Sequence, residues 1–440
     1  MKRGVGVGVI GYGTIGAGVV RLLRQRAKAH EDRLGFPVRL ARVADLDTSS
    51  DRGIKLPKGV LIDDARALID DPSVNVVVEL VGGVEPARTF ILEALRAGKH
   101  VVTANKALLS EHGVALAGEA EKRGLLLGFE ASVGGGIPIV RTIKESLAGD
   151  TNEEVYGILN GTANYILSAM SDGEGEFDEV LARAQAMGLA EADPSYDVDG
   201  IDSVHKLVIL VGLAFGKKIK ARSVHVEGIR SVSSKEIAYA REFGYRVKLL
   251  AVARDTPAGV EARVHPAMVP ESHLLAQVSG AYNAVCIKGR ALGTSVYYGQ
   301  GAGMMPTATA VLGDVLEAAR SLRDERPPSS EPWGQPLARL SSARVIPMGD
   351  TAHEHYLRLT VVDKPGALAR ISSILADEGI GIATLSQHEI ETKGAVPVVL
   401  RTHRSAESAM KRALARVGRL RDNRAKPVLL RVEEGLGGRE

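Results

Sequence analysis

Apolar residues in the first third of the chain gather into short runs, separated by stretches with helical spacing. Residues 5–10 (VGVGVI) form the first run, and 38–44, 74–81 and 100–103 form the next three. Each has the length of a buried strand. Behind the first run Ile15, Val19, Leu22 and Leu23 share one stripe, while Arg21, Arg24 and Lys28 point away. That is the pattern of an amphipathic helix. Residues 86–97 read as another helix, stopped by Gly98. Strands alternating with helices predict an α/β fold with a doubly wound parallel sheet. The last quarter has a different rhythm. Strand patterns at 355–362, 380–390, 396–402 and 427–432 interleave with helical ones at 367–378 and 405–417. The resulting β-α-β-β-α-β order is ferredoxin-like. A proline- and serine-rich stretch, DERPPSSEPWGQP (324–336), reads as the linker before it.

The first strand runs into Gly11-Tyr12-Gly13-Thr14-Ile15-Gly16 and then a helix. In that setting the first glycine allows a tight turn, the second lets the backbone approach a pyrophosphate, and the third lets helix and strand pack closely. The helix N-terminus offers N–H groups and partial positive charge to phosphates. A Rossmann-type nucleotide domain is therefore expected. Asp45 follows the second strand, where an acid favours NAD by accepting from ribose hydroxyls. It lies 34 positions after Gly11, beyond the usual spacing of about 20, and residues 26–36 account for the excess as extra helix and loop. Arg52 and Lys55 would instead suit the 2′-phosphate of NADP, so the choice stays open.

Residues 188–206 (GLAEADPSYDVDGIDSVHK) hold the chain's densest candidate chemistry. Glu191, Asp193, Asp197, Asp199 and Asp202 precede Lys206. Asp202 and Lys206 are four apart, so on a helix they share one face. Such a patch suits a small zwitterion, its carboxylates receiving an ammonium. A solvated acidic cap and a divalent-cation site are the competing readings. VTANK (102–106) puts Lys106 at the carboxyl end of the fourth strand, the edge where ligands bind. FEASVGGGIPIVR (129–141) carries three glycines suited to closing backbone on a ligand or cation, or to a hinge. GILNGTANYIL (157–167) offers Asn160, Thr162 and Asn164 as substrate contacts or helix caps, and YYGQGAGMMPTA (297–308) is another glycine-rich turn before a helix.

Composition narrows the classes. The 56 basic and 53 acidic side chains leave a formal net charge of +3, and no basic run with interleaved aromatics suggests nucleic acid. No apolar run reaches membrane-spanning length. The single cysteine, Cys286, excludes an intrachain disulfide framework and suits a reducing, cytoplasmic compartment. It lies in an apolar strand pattern, as expected for a buried structural thiol rather than a nucleophile.

VGVIGYGTIG, VTANK, FEASVGGGIPIVR, GILNGTANYIL, residues 188–206 and YYGQGAGMMPTA together resemble the homoserine dehydrogenase family, in its order, across residues 5–320. The resemblance implies a reversible NADPH- or NADH-dependent reduction of L-aspartate 4-semialdehyde to L-homoserine, serving threonine, methionine and isoleucine biosynthesis. It makes Lys206 the proton donor and Lys106 a second active-site lysine. Glu191 and Asp202 become substrate-binding residues. Cofactor contacts are expected at Gly11, Gly13, Thr14, Ile15, Gly16, Asp45, Thr103, Lys106, Gly188 and Gly303. Glu130, Val133, Gly135 and Ile137 match a sodium site built mainly from main-chain carbonyls. Asp45 and Leu46 depart from the basic residue many relatives carry there. The turn DKPGAL (363–368) resembles ACT domains, which implies L-threonine as effector near Gly366, Ala367 and Leu368. The implied layout is a nucleotide domain at 1–129 with a returning helix at 305–322, an α+β substrate and dimerisation domain at 130–304, a linker at 323–350, and an ACT domain at 351–434. A homodimer or homotetramer is expected. The alternative is a non-catalytic amino-acid sensor that retains a dinucleotide domain.

Overall fold

The computed structural model describes residues 4–387 and 394–436. They form two compact units. The first comprises residues 4–161, 202–223 and 282–343, and the second 162–201, 224–281 and 344–436.

In the first unit a parallel sheet of six strands runs Leu61–Ile62, Val38–Ala44, Val5–Ile10, Val76–Glu79, His100–Thr103, Leu127–Gly128. Numbered along the chain this is the order 3-2-1-4-5-6, which identifies the doubly wound topology. The order reverses between Val5–Ile10 and Val76–Glu79, and the carboxyl ends of strands at such a reversal are where this topology binds ligands. Both strands are buried throughout, which explains why they read as unbroken valine-rich runs. Each fully buried Val or Leu contributes roughly 1.5–3 kcal/mol. The helix Thr14–Gln25 packs on the returning helix Met304–Asp324. A Cβ at Gly18 would sit 2.7 Å from Met304 Cγ and 3.1 Å from Ala308 Cβ, so the small residue sets the helix spacing. Asn152–Ile158, Tyr282–Gly289 and Gly293–Gln300 pair antiparallel in the same unit.

The proline- and serine-rich stretch is not a free tether. Trp333 is buried, its ring 5.4 Å from that of Phe129. Gly113 and Gly212 make room for it, since a Cβ at either would come within 2.9 and 2.6 Å of the indole. Ser341–Ser342 then pairs with Lys217–Lys218.

In the second unit the hairpin of Tyr245–Thr256 and Gly259–Pro270 is continued by Val428–Val432, Ala352–Val362, Ala395–Thr402 and Ile382–Gln387. The last four strands, with helices Ala367–Asp377 and Glu407–Gly418 on one face, have the ferredoxin-like order. Leu357, Leu359 and Val361 point at the helices and meet Ile371 and Met410, following the period-2 alternation of a strand. The strand expected over 380–390 is observed as Ile382–Gln387, and 388–390 lie outside the described residues. Val428–Val432 pairs with both Gly259–Pro270 and Ala352–Val362, so the last module shares a strand edge with the hairpin. Among the described residues no helix is long and apolar enough to cross a membrane.

Candidate active site

The glycine turn divides its three roles as the mechanism requires. Gly11 has φ 94°, and a Cβ there would lie 2.7 Å from the Leu80 carbonyl. Gly16 has no room for a side chain, since a Cβ would stand 2.0 Å from the Gly11 oxygen. Gly13 has open space where its Cβ would be and caps the helix beside exposed Thr14 and half-buried Ile15. That leaves backbone N–H groups clear for phosphates. Asp45 does something the sequence did not indicate. One carboxylate oxygen accepts from Tyr12 N and the other from Asp47 N at 2.9 Å, so it braces the turn. The Arg52 guanidinium donates to Tyr12 O at 2.9 Å and to Asp47 at 2.8 Å.

The lysines converge on one carboxylate. The helix Ile201–Phe215 places Asp202 and Lys206 one turn apart, and Lys206 Nζ lies 2.7 Å from Asp202 Oδ2 and 2.6 Å from Leu159 O. Lys106, the first residue of the helix Lys106–Glu121, brings its Nζ within 2.8 Å of Asp202 Oδ1. Asn160 Nδ2 donates to Oδ2 at 2.9 Å. Burial alone would raise the Asp202 carboxyl, but the Lys206 and Lys106 ammoniums reverse this and hold it below the usual carboxylate range. Two positive charges on one negative charge leave the cluster net cationic. Such a site stabilises an oxyanion.

In the same unit two glycine-rich segments meet. Gly136 N donates to Gln300 O at 2.9 Å, and a Cβ at Gly135 would lie 2.3 Å from the Gly301 oxygen. Gly135 and Gly136 therefore serve close backbone packing against the 297–303 segment, while Gly134, φ 69°, faces Ile137. Gly303, φ 114°, caps the helix Met304–Asp324. Glu130 is buried, and its carboxylate accepts from Val140 N and Arg141 N, both at 2.8 Å. Burial, then the neighbouring Asp314, pushes it up to about 7. Val133 and Ile137 are buried beside it in sequence. Among the described residues no group of three or more His, Cys, Asp or Glu is placed to hold a metal ion. Burial pushes the Cys286 thiol up to about 12, a packed thiol and not a nucleophile.

The rest of the acidic segment belongs to the second unit. Gly188 has φ 71° after the helix Phe177–Ala186. Glu191 is exposed, and its main-chain oxygen accepts from Gln185 Nε2 at 3.0 Å. Asp193 caps Ser195 N and Oγ, while Asp199 pairs with Arg230 at 2.6 Å. Thr162 Oγ1 donates to Leu189 O, and Asn164 Nδ2 to the carbonyls of Val278 and Gly280. These two side chains hold loops in place. In the C-terminal module Gly366, φ 83°, caps the helix Ala367–Asp377. Ala367 is buried and Leu368 packs on the core.

Two buried residues escaped the sequence reading. Glu79 closes the strand Val76–Glu79 and accepts from Thr103 Oγ1 at 2.7 Å. Asn105 caps the helix that begins at Lys106, accepting from Leu108 N at 3.1 Å. The signal for the first was a carboxylate ending the apolar run VVVE, and for the second an Asn directly before a helix.

A doubly wound sheet with an open glycine turn, joined in one unit to a cationic lysine pair, defines a dinucleotide-dependent oxidoreductase. Comparison with known proteins narrows the class. Family models match as the homoserine dehydrogenase NAD-binding domain over residues 11–130, homoserine dehydrogenase over 138–316, and the ACT domain over 355–421. The chain is 40% identical to homoserine dehydrogenase of Neisseria gonorrhoeae over 430 residues, covering 98% of each. It is 38% identical to that of Corynebacterium glutamicum over 431 residues, covering 97% of this chain and 93% of the other. A solved homoserine dehydrogenase from Thiobacillus denitrificans superposes with TM-score 0.92 at 40% identity, covering 99% of both chains. The chain belongs to the homoserine dehydrogenase family. It is an oxidoreductase of amino-acid biosynthesis, acting on a CH–OH group with a nicotinamide dinucleotide, and it carries an ACT domain.

Proposed function

We propose that the chain interconverts L-aspartate 4-semialdehyde and L-homoserine, with Lys206 moving the proton. The observation that carries this is the convergence of Lys206 and Lys106 on buried Asp202. Hydride arriving from the reduced nicotinamide puts negative charge on the aldehyde oxygen. The net positive cluster stabilises that charge, and Lys206 supplies the proton. In the reverse direction Lys206 takes the proton back. Glu191 receives the substrate ammonium. Asp202, also assigned to substrate, first serves to hold both lysines. Gly188 and Gly303 line the nicotinamide side, and Thr103 contributes through its main chain because its hydroxyl is committed to Glu79. Homoserine-dependent reduction of NAD and NADP by the wild-type chain tests the reading, and no activity with either would overturn it.

The same reading covers the finer points. Both cofactors are accepted, because Asp45 braces the turn while Arg52 stands beside it to meet a 2′-phosphate. A cavity of about 300 Å³ there is also lined by Tyr12, Thr48, Ser50 and Lys58. Arg52→Ala should raise KM for NADPH more than for NADH. A sodium ion would rely on the main-chain carbonyls of Glu130, Val133, Gly135 and Ile137, because the Glu130 carboxylate already caps two amides. A higher thermal midpoint in sodium than in choline chloride is the expected sign. L-Threonine acts at Gly366–Leu368, where the exposed turn opens an eleven-residue helix. Inhibition of turnover by added threonine checks it. An oligomer of two or four chains is supported by the open edge strand Gly293–Gln300 and the exposed Tyr282–Tyr298 stack, and sedimentation measures it.

A further inference from the structure

Glu79 is fully buried at the carboxyl end of its strand and has no counter-ion among its hydrogen-bond partners. Burial pushes its carboxyl up, while the donors around it pull the other way. A buried acid without a paired cation is costly unless donors satisfy it. Here they do. Val81 N donates to Oε1 at 2.7 Å, and Thr103 Oγ1 donates to Oε2 at 2.7 Å. With its one proton given to Glu79, the Thr103 hydroxyl offers a lone pair to Asn105 N at 3.0 Å. Asn105 then donates through Nδ2 to Gly83 O and caps the helix through Leu108 N. The next residue is Lys106, the first of that helix, and its Nζ meets Asp202, which holds Lys206.

We propose that Glu79 is a positioning residue for the lysine pair, fixing through Thr103 and Asn105 the corner from which Lys106 reaches Asp202. An acceptor-only side chain is needed at this place. A glutamine would have to aim its oxygen at Val81 N–H, leaving its NH₂ toward Thr103, which already accepts from Asn105. The hydroxyl proton would then have no partner, and the corner would shift. Displacements on the scale of an ångström at a catalytic corner carry large rate effects.

The inference rests on the proposed roles of Lys106 and Lys206, so Lys206→Ala is measured alongside. Glu79→Gln should lower kcat about tenfold, with the cofactor Kd within about twofold of the parent. Thr103→Val should do the same, and Thr103→Ser, which keeps the hydroxyl, should restore turnover. Glu79→Gln combined with Thr103→Val should be no slower than the slower single variant, since both break one chain of contacts. Parent-like kcat in Glu79→Gln, or losses that multiply in the double variant, overturns the proposal. If Glu79→Gln fails to fold by circular dichroism, the Thr103 pair decides: a fall with Val and recovery with Ser supports it, and equal kcat overturns it. Full turnover in Lys206→Ala would overturn the lysine reading and this inference with it. Collapse there beside a parent-like Glu79→Gln sinks this inference alone.

Discussion

Two buried charge centres in this chain are near mirror images. In the first unit one carboxylate, Asp202, holds two ammoniums, Lys106 and Lys206. In the second unit one guanidinium, Arg431, holds two carboxylates: its NH1 and NH2 lie 2.8 Å from Glu227, and its Nε and NH2 lie 3.1 and 2.6 Å from Glu407. His355 adds a contact to Glu407 at 3.1 Å, and Arg263 ties Glu433 at 2.7 Å nearby. The chemistry of the cations separates the two. A guanidinium does not release a proton, and its planar fork suits fixed bidentate pairing. An ammonium on a flexible stem can give up a proton. The Arg431 centre is a joint between strand Val428–Val432, the helix start at Glu407 and Glu227. The Asp202 centre, with a surplus of movable protons, is equipped for chemistry. Burial of charge does not by itself separate the two centres; the sign of the surplus and the type of cation do.

The sharpest way to break this contrast is to exchange the cations. Lys206→Ala should lower kcat by about 10²–10⁴-fold while the cofactor Kd hardly moves, and Lys206→Arg, which keeps the charge without a transferable proton, should lose nearly as much. Steady-state kinetics with a separate cofactor titration measures both, and equal losses in kcat and cofactor affinity would remove the proton-donor role. Arg431→Met takes the guanidinium from buried Glu407 and half-buried Glu227 and should destabilise the second unit by about 3–5 kcal/mol. Thermal unfolding reads that loss, and turnover per folded molecule should stay near the parent value. A catalytic loss without destabilisation would erase the distinction.

Acid sharpens the comparison next. His265 is fully buried and is pushed down to about 3, first by burial and then by Arg431 and Arg263. A group with a depressed folded pKa gives stability that is present above its unfolded value of 6.5 and lost as pH falls toward the folded one. Glu407, held below the usual range by His355 and Arg431 against the opposing effect of burial, adds a loss in the carboxylate range. The thermal midpoint should therefore begin to fall below about pH 6.5 and fall faster below about pH 4.5. A midpoint flat from pH 7 to 4 would contradict it. The smallest effect belongs to an exposed pair: Arg230→Ala breaks the contact with Asp199 and should change stability by under about 1 kcal/mol, less in high salt.

Much of this was legible in the residues because the signals are local. The glycine turn, the strand-helix alternation and the Asp202–Lys206 spacing each lie within one or two elements, and periodicity or steric need reveals them. The ferredoxin-like order was readable for the same reason. What stayed hidden depends on contacts between residues far apart in the chain. Nothing near Asp202 announces that Lys106 will share it, and nothing in VVVE shows that Thr103 will satisfy Glu79. The place of Asp45 after a strand gave no sign that it also accepts from the amides of Tyr12 and Asp47. Trp333 sat in a stretch whose prolines and serines read as linker. Only the gaps at Gly113 and Gly212 explain its burial, and those glycines are far from it in sequence.

The strand Val428–Val432 has a consequence in time. It joins the C-terminal module to the hairpin, with partners on either side made long before it during synthesis. While a ribosome is still building residues ahead of it, Ala267 and Met268 on one strand and 354–358 on the other must wait for this partner, and open strand edges invite pairing with other chains. The second unit therefore has a window of vulnerability during translation that closes only when a late five-residue strand arrives.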